Sequence, residues 1–289
     1  MTRVTYSVVA RDPQTGELGV AVQSHWFSVG GVVPHVRPGV GAVALQAVPD
    51  VAHGARILDR LGDGATPDEA LAAVLRDDEG ETMRQTAVVD ASGRNAVHTG
   101  SACIAEAAHV AGDGWSCQAN MMARDTVWDA MARALDAAGA EPLAERLVAA
   151  LEAAEAEGGD LRGRQSAALV AGAIELRVED HPDPVAELRR LLVLHRAYEA
   201  AEEGDSAVAA GRFDAAATAY ERASALAPDN HELLFWAGLA AAQGGDMDLA
   251  VERVRRAIAI QPSWRELLAR LGPEHAPSAA AVRRALARD

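Results

Sequence analysis

The sequence contains no lysine: all 27 basic residues are arginine. That absence excludes several chemistries at once. A P-loop needs a lysine beside its phosphates, Schiff-base and pyridoxal chemistry need a lysine amine, and Ser–Lys or Thr–Lys hydrolases need a lysine as base. Cysteine is nearly absent too. Cys103 and Cys117 are too few for a disulfide scaffold, so two buried reduced thiols are expected rather than one structural disulfide. Aromatic residues make up only 4%, so the cores are expected to be built from Ala, Val and Leu. Positive charge is short overall, with 42 acidic against 27 basic residues and a formal net charge of −15. This argues against nucleic acid or an anionic membrane as partner, because a phosphate surface calls for basic patches. No run reaches the apolar length of a membrane span, and the first residues carry no long apolar stretch. The expectation is a soluble cytoplasmic protein.

What is present is a hydrophobic content of 49% over 289 residues, enough for two domains. The first reads mainly as strands. Residues 6–10 and 18–22 are β-prone runs flanking Asp12-Pro13-Gln14-Thr15-Gly16, which predicts a hairpin. Another strand is expected over 41–48, a second hairpin around Ala91-Ser92-Gly93-Arg94, and strand over 110–118 interrupted by Gly112-Asp113-Gly114. Thr66-Pro67-Asp68-Glu69 marks a helix start: Thr66 caps, Pro67 suits the first helical position and Glu69 completes a capping box. Amphipathic helices are expected at about 125–138 and 142–157, the second with Leu143, Leu147, Ala150, Leu151 and Ala154 on one face. Strands over 165–170 and 174–178, joined by Ala171-Gly172-Ala173, complete the segment. The order predicts a mainly antiparallel α+β layered domain over residues 1–183. No Gly-rich loop sits between a strand and a helix, which argues against a dinucleotide-binding fold.

At Asp183-Pro184 the pattern changes. Asp183 can cap, Pro184 opens a helix running through Leu188, Leu191, Leu192 and His195, and nothing afterwards reads as strand. Gly204/Gly238, Ala216/Ala250, Tyr220/Val254, Ala223/Ala257 and Pro228/Pro262 repeat with a period of 34, the tetratricopeptide spacing. The expectation is an all-α domain over 184–289, with repeats at about 197–230 and 231–264 and capping helices. A third repeat would begin near Leu268 and Gly272 but breaks at Gly272-Pro273. Two repeats are at the small end for this architecture, so they are expected to lean on the first domain or on a second subunit, which makes a homo-oligomer the expected state.

No metal or cofactor motif stands out. The nine histidines are scattered, no H-E-x-x-H, C-x-x-C or G-x-S-x-G string occurs, and Asp180-His181-Pro182-Asp183 reads as a turn and helix cap. The beginning of the chain is different. Thr5 stands at the edge of the first strand, the layout an N-terminal nucleophile needs: the hydroxyl attacks and the residue's own α-amine, with a reference pKa of about 7.7–8.0, takes the proton. On residue type alone, a threonine opening a strand is as a rule inert.

A resemblance bears on that choice. The run from Thr5 to Val22 (TYSVVARDPQTGELGVAV) resembles the opening of the DUF1028 family, a group placed with the Ntn-hydrolase fold. So do His98-Thr99-Gly100 with Cys103, Gln118-Ala119-Asn120-Met121-Met122, the run from Gly158 to Ala168, and Asp180-His181-Pro182-Asp183-Pro184-Val185. The similarity covers about residues 5 to 195, and the repeats resemble an extension found in some members. It implies a four-layer αββα sandwich of two antiparallel sheets between helix layers, with Thr5 as nucleophile of amide hydrolysis. Asn120, expected just before a helix, is then either an oxyanion donor or an ordinary helix cap. Asp160, Arg162, Arg164 and Gln165 form a polar string in which arginine either holds a substrate carboxylate or fixes the loop through an internal ion pair. His25, Gln46 and Ser166 are further substrate-binding candidates. Thr2-Arg3-Val4 stand between Met1 and Thr5, so loss of Met1 exposes Thr2, and only a cut between Val4 and Thr5 frees the Thr5 amine. The reading is an N-terminal-nucleophile amidohydrolase acting on a small amide or peptide-like substrate. The alternative is a non-catalytic Ntn-like binding protein working through its tetratricopeptide segment.

Overall fold

The structure, a computed structural model, describes residues 5–288. Met1-Thr2-Arg3-Val4, among them the Thr2 that loss of Met1 exposes, and Asp289 lie outside the described residues. Asp12 closes the first hairpin by accepting the backbone N–H groups of Gln14 (2.7 Å) and Thr15 (2.9 Å), while Gly16 takes φ +77°. The turn joins β1 (Thr5–Arg11) to β2 (Leu18–Ser24). Next come β3 (Pro34–Arg37), β4 (Gly41–Ala47), α1 (Ala52–Gly62) and α2 (Pro67–Leu75). The expected capping box at the start of α2 is complete, with Thr66 and Glu69 each bonding the other's backbone N–H. The hairpins β5 (Arg84–Asp90) with β6 (Asn95–Thr99) and β7 (Ala108–Gly112) with β8 (Trp115–Asn120) follow. Helices α3 (Val127–Ala137) and α4 (Leu143–Glu157) lead to β9 (Ser166–Ala171) and β10 (Ile174–Val178).

These strands form two antiparallel sheets, one in the order β10-β9-β2-β1-β8-β7 and one in the order β3-β4-β5-β6. Strand alternation sorts each sheet's residues to two faces. Val9, Val20 and Val22 of the first sheet pack with Ala42, Ala44, Ala87 and Val89 of the second, so these faces meet. Val43, Leu45 and Val88 point the other way, onto Ile57, Leu58 and Leu61 of α1 and Leu71 and Val74 of α2. On the opposite side of the six-stranded sheet, α3 packs on β8 and α4 on β1, β2 and β9.

The chain divides into two compact units, the first ending at Arg190 and the second starting at Leu191. The helix opened by Pro184 runs through His195, as expected, and continues as α5 to Ala209. After it come α6 (Phe213–Leu226), α7 (His231–Gln243) and α8 (Met247–Ile260), then the shorter α9 (Trp264–Arg270) and α10 (Ala279–Leu286). The 34-residue period has a steric origin. A Cβ on Gly204 would lie 2.9 Å from the Tyr220 ring, and one on Gly238 would lie 2.8 Å from Val254 and 3.0 Å from the Ala250 carbonyl. Each repeat thus sets a glycine of its first helix against the same position of its second. Gly238→Ala gains about 1 kcal/mol of helix propensity but overpacks a backbone that cannot turn aside, at about 1–3 kcal/mol. The expected result is a lower unfolding midpoint for the helical unit, followed by circular dichroism; a raised midpoint would contradict the close approach.

Candidate functional site

The register of the six-stranded sheet lines up four polar residues. Ser166 of β9 pairs with Ser24 of β2, Ser24 with Thr5 of β1, and Thr5 with Asn120 of β8. Paired residues point to one side of a sheet, so the four form a row on the inter-sheet face at one end, and all are buried. Thr5 Oγ1 donates to Ser24 Oγ at 3.2 Å. Ser166 Oγ donates to the Trp26 carbonyl (2.5 Å) and accepts the Val29 N–H (3.1 Å). Asn120 ends a strand and does not cap a helix; six residues separate it from α3, where Thr126 holds the cap position.

Behind the row lies a layer of amides that the sequence reading missed except for Gln46. Gln85 Nε2 donates to the carbonyls of Ala108 (3.1 Å) and Ala119 (2.9 Å), groups that can only accept. Its Oε1 therefore faces the other way and accepts Asn120 Nδ2 (3.0 Å) and Gln46 Nε2 (2.5 Å). Those two nitrogens also reach the Thr5 carbonyl, each at 3.3 Å. Gln46 Oε1 accepts the Ser7 hydroxyl (2.6 Å), Ser7 accepts Gln118 Nε2 (2.7 Å), and Gln118 accepts Ser116 (2.8 Å). Asn120 Oδ1 is buried with no donor. Ala47 and Met121, which directly follow Gln46 and Asn120, are non-glycine residues at φ +67° and +55°. Such backbone costs about 1 kcal/mol or more per residue and clusters at functional sites. A lone glutamine near the end of several apolar strands was the available signal.

The loop 158–165 closes this end. Asp160 accepts the His25 backbone N–H (3.0 Å) and the Arg162 side chain (3.1 Å), and His25 directly follows Ser24 of the row. His25 Nδ1 is buried without a partner. Arg164 pairs with Glu155 and with Asp183 (3.1 Å). Glu155 also accepts the Tyr6 hydroxyl, and burial, reinforced by that carboxylate, pushes the Tyr6 phenol well above its ordinary pKa. Gln165 bonds Asp180 (3.2 Å) and stands off the row. The structure thus brings Thr5, Asn120, Gln46 and Ser166 together, sets His25, Asp160 and Arg162 beside them, and engages both arginines with carboxylates of the chain.

The opposing end of the four-stranded sheet is stitched to the same place. Arg84 holds Asp78 with two bonds (2.7 and 2.9 Å), donates to the Val48 carbonyl, and offers its own carbonyl to Gly100 (2.8 Å) and Cys103 (3.4 Å). Leu161 N–H bonds Met121 O and Met121 N–H bonds Ile104 O. Large exposed hydrophobics follow this seam: Phe27 (63% exposed), Leu161 (66%), Ile104, Met83 and Val51. Each sits on a connecting segment at the end of the sheets where Thr5 begins its strand, Met83 closing a short 3-10 turn before β5. Among the described residues no group of three His, Cys, Asp or Glu is placed to hold a metal, and both cysteines are free.

The description of a family of unknown function, DUF1028, matches residues 5–188. The chain belongs to the DUF1028 family. The family match opens on Thr5 and takes in the whole row, the amide layer and the closing loop. A crystal structure of a DUF1028 protein from Silicibacter pomeroyi is 33% identical, covers 65% of this chain and 84% of its own, and superposes with a TM-score of 0.62. A tetratricopeptide repeat description matches residues 201–264. No curated protein matches the chain.

Two outcomes test this construction. Gln85→Leu removes an acceptor from Gln46 Nε2 and Asn120 Nδ2 and a donor from two buried carbonyls, each lost hydrogen bond costing about 0.5–1.5 kcal/mol. The DUF1028 unit should lose about 2–5 kcal/mol in urea unfolding; a change under about 0.5 kcal/mol would contradict the network. Arg84, through its hydrogen bonds, holds Asp78 down at a pKa of about 2. A depressed folded-state pKa adds stability that is complete above the unfolded value and lost as pH falls through the folded one. The stability gap between the native chain and Asp78→Asn should therefore be constant near pH 6 and shrink from about pH 4 down to about pH 2, as followed by denaturant unfolding.

Proposed function

We propose that the first domain, residues 1–183, is a four-layer αββα sandwich of the Ntn-hydrolase type and cleaves a small amide or peptide-like substrate with Thr5 as nucleophile. The observation that carries the reading is the position of Thr5: the first residue of a central strand, its hydroxyl ordered by Ser24 in a row with Asn120. A cut before Thr5 turns its backbone nitrogen into an amine. Thr5 Oγ1 then attacks the substrate carbonyl while the amine takes the hydroxyl proton. Collapse of the tetrahedral adduct breaks the C–N bond, and the ammonium returns the proton to the leaving amine. Water, deprotonated by the same amine, hydrolyses the Thr5 ester and releases the acid. Asn120 Nδ2 supports the oxyanion by exchanging its longer bond, 3.3 Å to the Thr5 carbonyl, for the developing charge while Gln85 keeps the amide oriented. Arg162 and Arg164, with Gln165, His25, Gln46 and Ser166, form the substrate side, where a carboxylate would exchange with Asp160 or Glu155 for a guanidinium. The exposed apolar residues at this end favour a substrate that also carries an apolar group.

The second reading is a non-catalytic binding protein acting through the repeats in a cytoplasmic homo-oligomer. It draws on the repeat match and on the full engagement of the Asn120 amide N–H groups. Intact mass of the protein purified from its native host, with hydrolysis of a panel of acyl anilides, separates the two. A chain starting at Thr5, activity retained in part by Thr5→Ser and cut about a thousandfold or more by Thr5→Ala, is expected. A chain still starting at Thr2, with no hydrolysis that Thr5→Ala changes, overturns the catalytic reading.

A further inference from the structure

The helical unit holds a cavity of about 240 Å³ between α5, α6 and α7 that the chemistry above does not use. Its walls come from two helical faces. Tyr198, Glu202 and Asp205 follow one another along α5 at spacings of four and three, and Glu232 and Trp236 stand one turn apart on α7. Tyr220 of α6, with the apolar Ala201 and Leu233, completes the lining. The cavity therefore holds three carboxylates against three aromatic rings, and none of the groups lining it is cationic.

Two of the carboxylates are fixed in place by hydroxyls rather than neutralised by cations. Tyr198 donates its hydroxyl to Glu232 (2.8 Å), and Tyr220 donates to Asp205 (2.6 Å). Burial, together with those carboxylates, pushes both phenols above their ordinary pKa, so they remain neutral donors. Each carboxylate keeps lone pairs for a further partner. Of the arginines on α5 and α6, Arg222 pairs with Glu203 and Arg196 with Glu199, and neither carboxylate lines the cavity. The Trp236 indole is set edge-on to Phe235, at 5.1 Å and 82°, which fixes the ring in the wall.

We propose that this cavity, through Glu202, Glu232 and Asp205 around the Trp236 and Tyr198 rings, binds an arginine side chain presented by a partner polypeptide. Charge complementarity calls for a cation, and aromatic faces beside carboxylates suit one that can stack as well as pair. A planar guanidinium meets several separated carboxylate oxygens at once through its forked donors, while an ammonium is a more strongly hydrated point charge. The volume lies below the range of whole small-molecule sites, which fits one inserted side chain. The proposal is independent of any hydrolysis at Thr5.

The test is a titration of the full chain, by calorimetry or ligand-observed NMR at low ionic strength, with a blocked pentapeptide of Gly, Ala and one central Arg. Companion peptides carry citrulline or Lys at the centre. The Arg peptide is expected to bind, with the citrulline peptide weaker by about tenfold or more and the Lys peptide weaker by a smaller factor. Added salt should weaken the Arg peptide. Glu202→Gln, at an exposed position, should weaken it by about threefold to tenfold without touching the fold, and Trp236→Leu should do the same with helicity checked by circular dichroism. Absence of Arg-peptide binding, equal binding of citrulline, or binding unaffected by Glu202→Gln would overturn the proposal. Equal binding of the Lys peptide would overturn the assignment to arginine.

Discussion

The orientation of one buried amide governs the layer between the sheets. Gln85 faces two main-chain carbonyls with its nitrogen, so its oxygen has only one direction left. That oxygen orders Gln46 and Asn120, which together hold the first carbonyl of β1, and Gln46 orders Ser7 and through it Gln118. Buried polar groups in a low dielectric are costly unless each finds its partner, so the network admits one arrangement. The inter-sheet layer is consequently split along the strands. From Val9 onward it is an apolar core, and from Ser7 to Thr5 it is amide and hydroxyl. A register slip of one residue would exchange both halves for the opposite face, which is how a network a few residues deep also specifies the strand pairing of β1.

Much of this was legible in the chain. The Asp12–Gly16 turn, the Thr66 capping box and the 34-residue period each depend on neighbours in sequence or on a fixed repeat, and each stands in the structure. The family resemblance, carried by ordered strings from Thr5 onward, stands too. What was not legible depends on distant partners. Strand β3 has four half-buried residues and no alternation, and α1 begins without a side-chain cap. The two make sense only together: Gly54 of α1 gives room to the His35 ring of β3, where an added Cβ would come within 2.5 Å. The amide layer was missed for the same reason. A glutamine in a strand is unremarkable alone, and Gln46, Gln85 and Gln118 gain meaning only when two sheets face one another. Asn120 was expected just before a helix, yet it ends β8 and its register partner across the sheet is Thr5.

The charge balance separates the two units. In the first, Arg84, Arg162, Arg164 and Arg189 each hold a carboxylate of the same unit, so the arginines that looked available for ligands work largely as clasps. Arg84 clasps most, since its side chain and carbonyl join three loop segments at the end where Thr5 lies. In the helical unit, Tyr198 and Tyr220, not arginines, hold Glu232 and Asp205 along the α5 and α7 faces that line the aromatic cavity. A chain of net charge −15 can therefore pair carboxylates around the Thr5 end and still leave a negative recess elsewhere.

The uncharged character of the Thr5 row sets the last constraint. Ser166, Ser24, Thr5 and Asn120, with Gln46, Gln85 and Gln118 behind them, are hydroxyls and amides, none of which takes up a proton near neutrality. No lysine exists in the chain to serve in their place. On the proposed reading, a hydroxyl nucleophile in this row finds its base only if the backbone nitrogen of Thr5 is itself converted to an amine. On that reading the peptide bond between Val4 and Thr5 determines catalytic competence, while Gln46 and Asn120 hold the Thr5 carbonyl on the other side of the same residue. The same residues that fix the fold thus leave the chemistry to one covalent event.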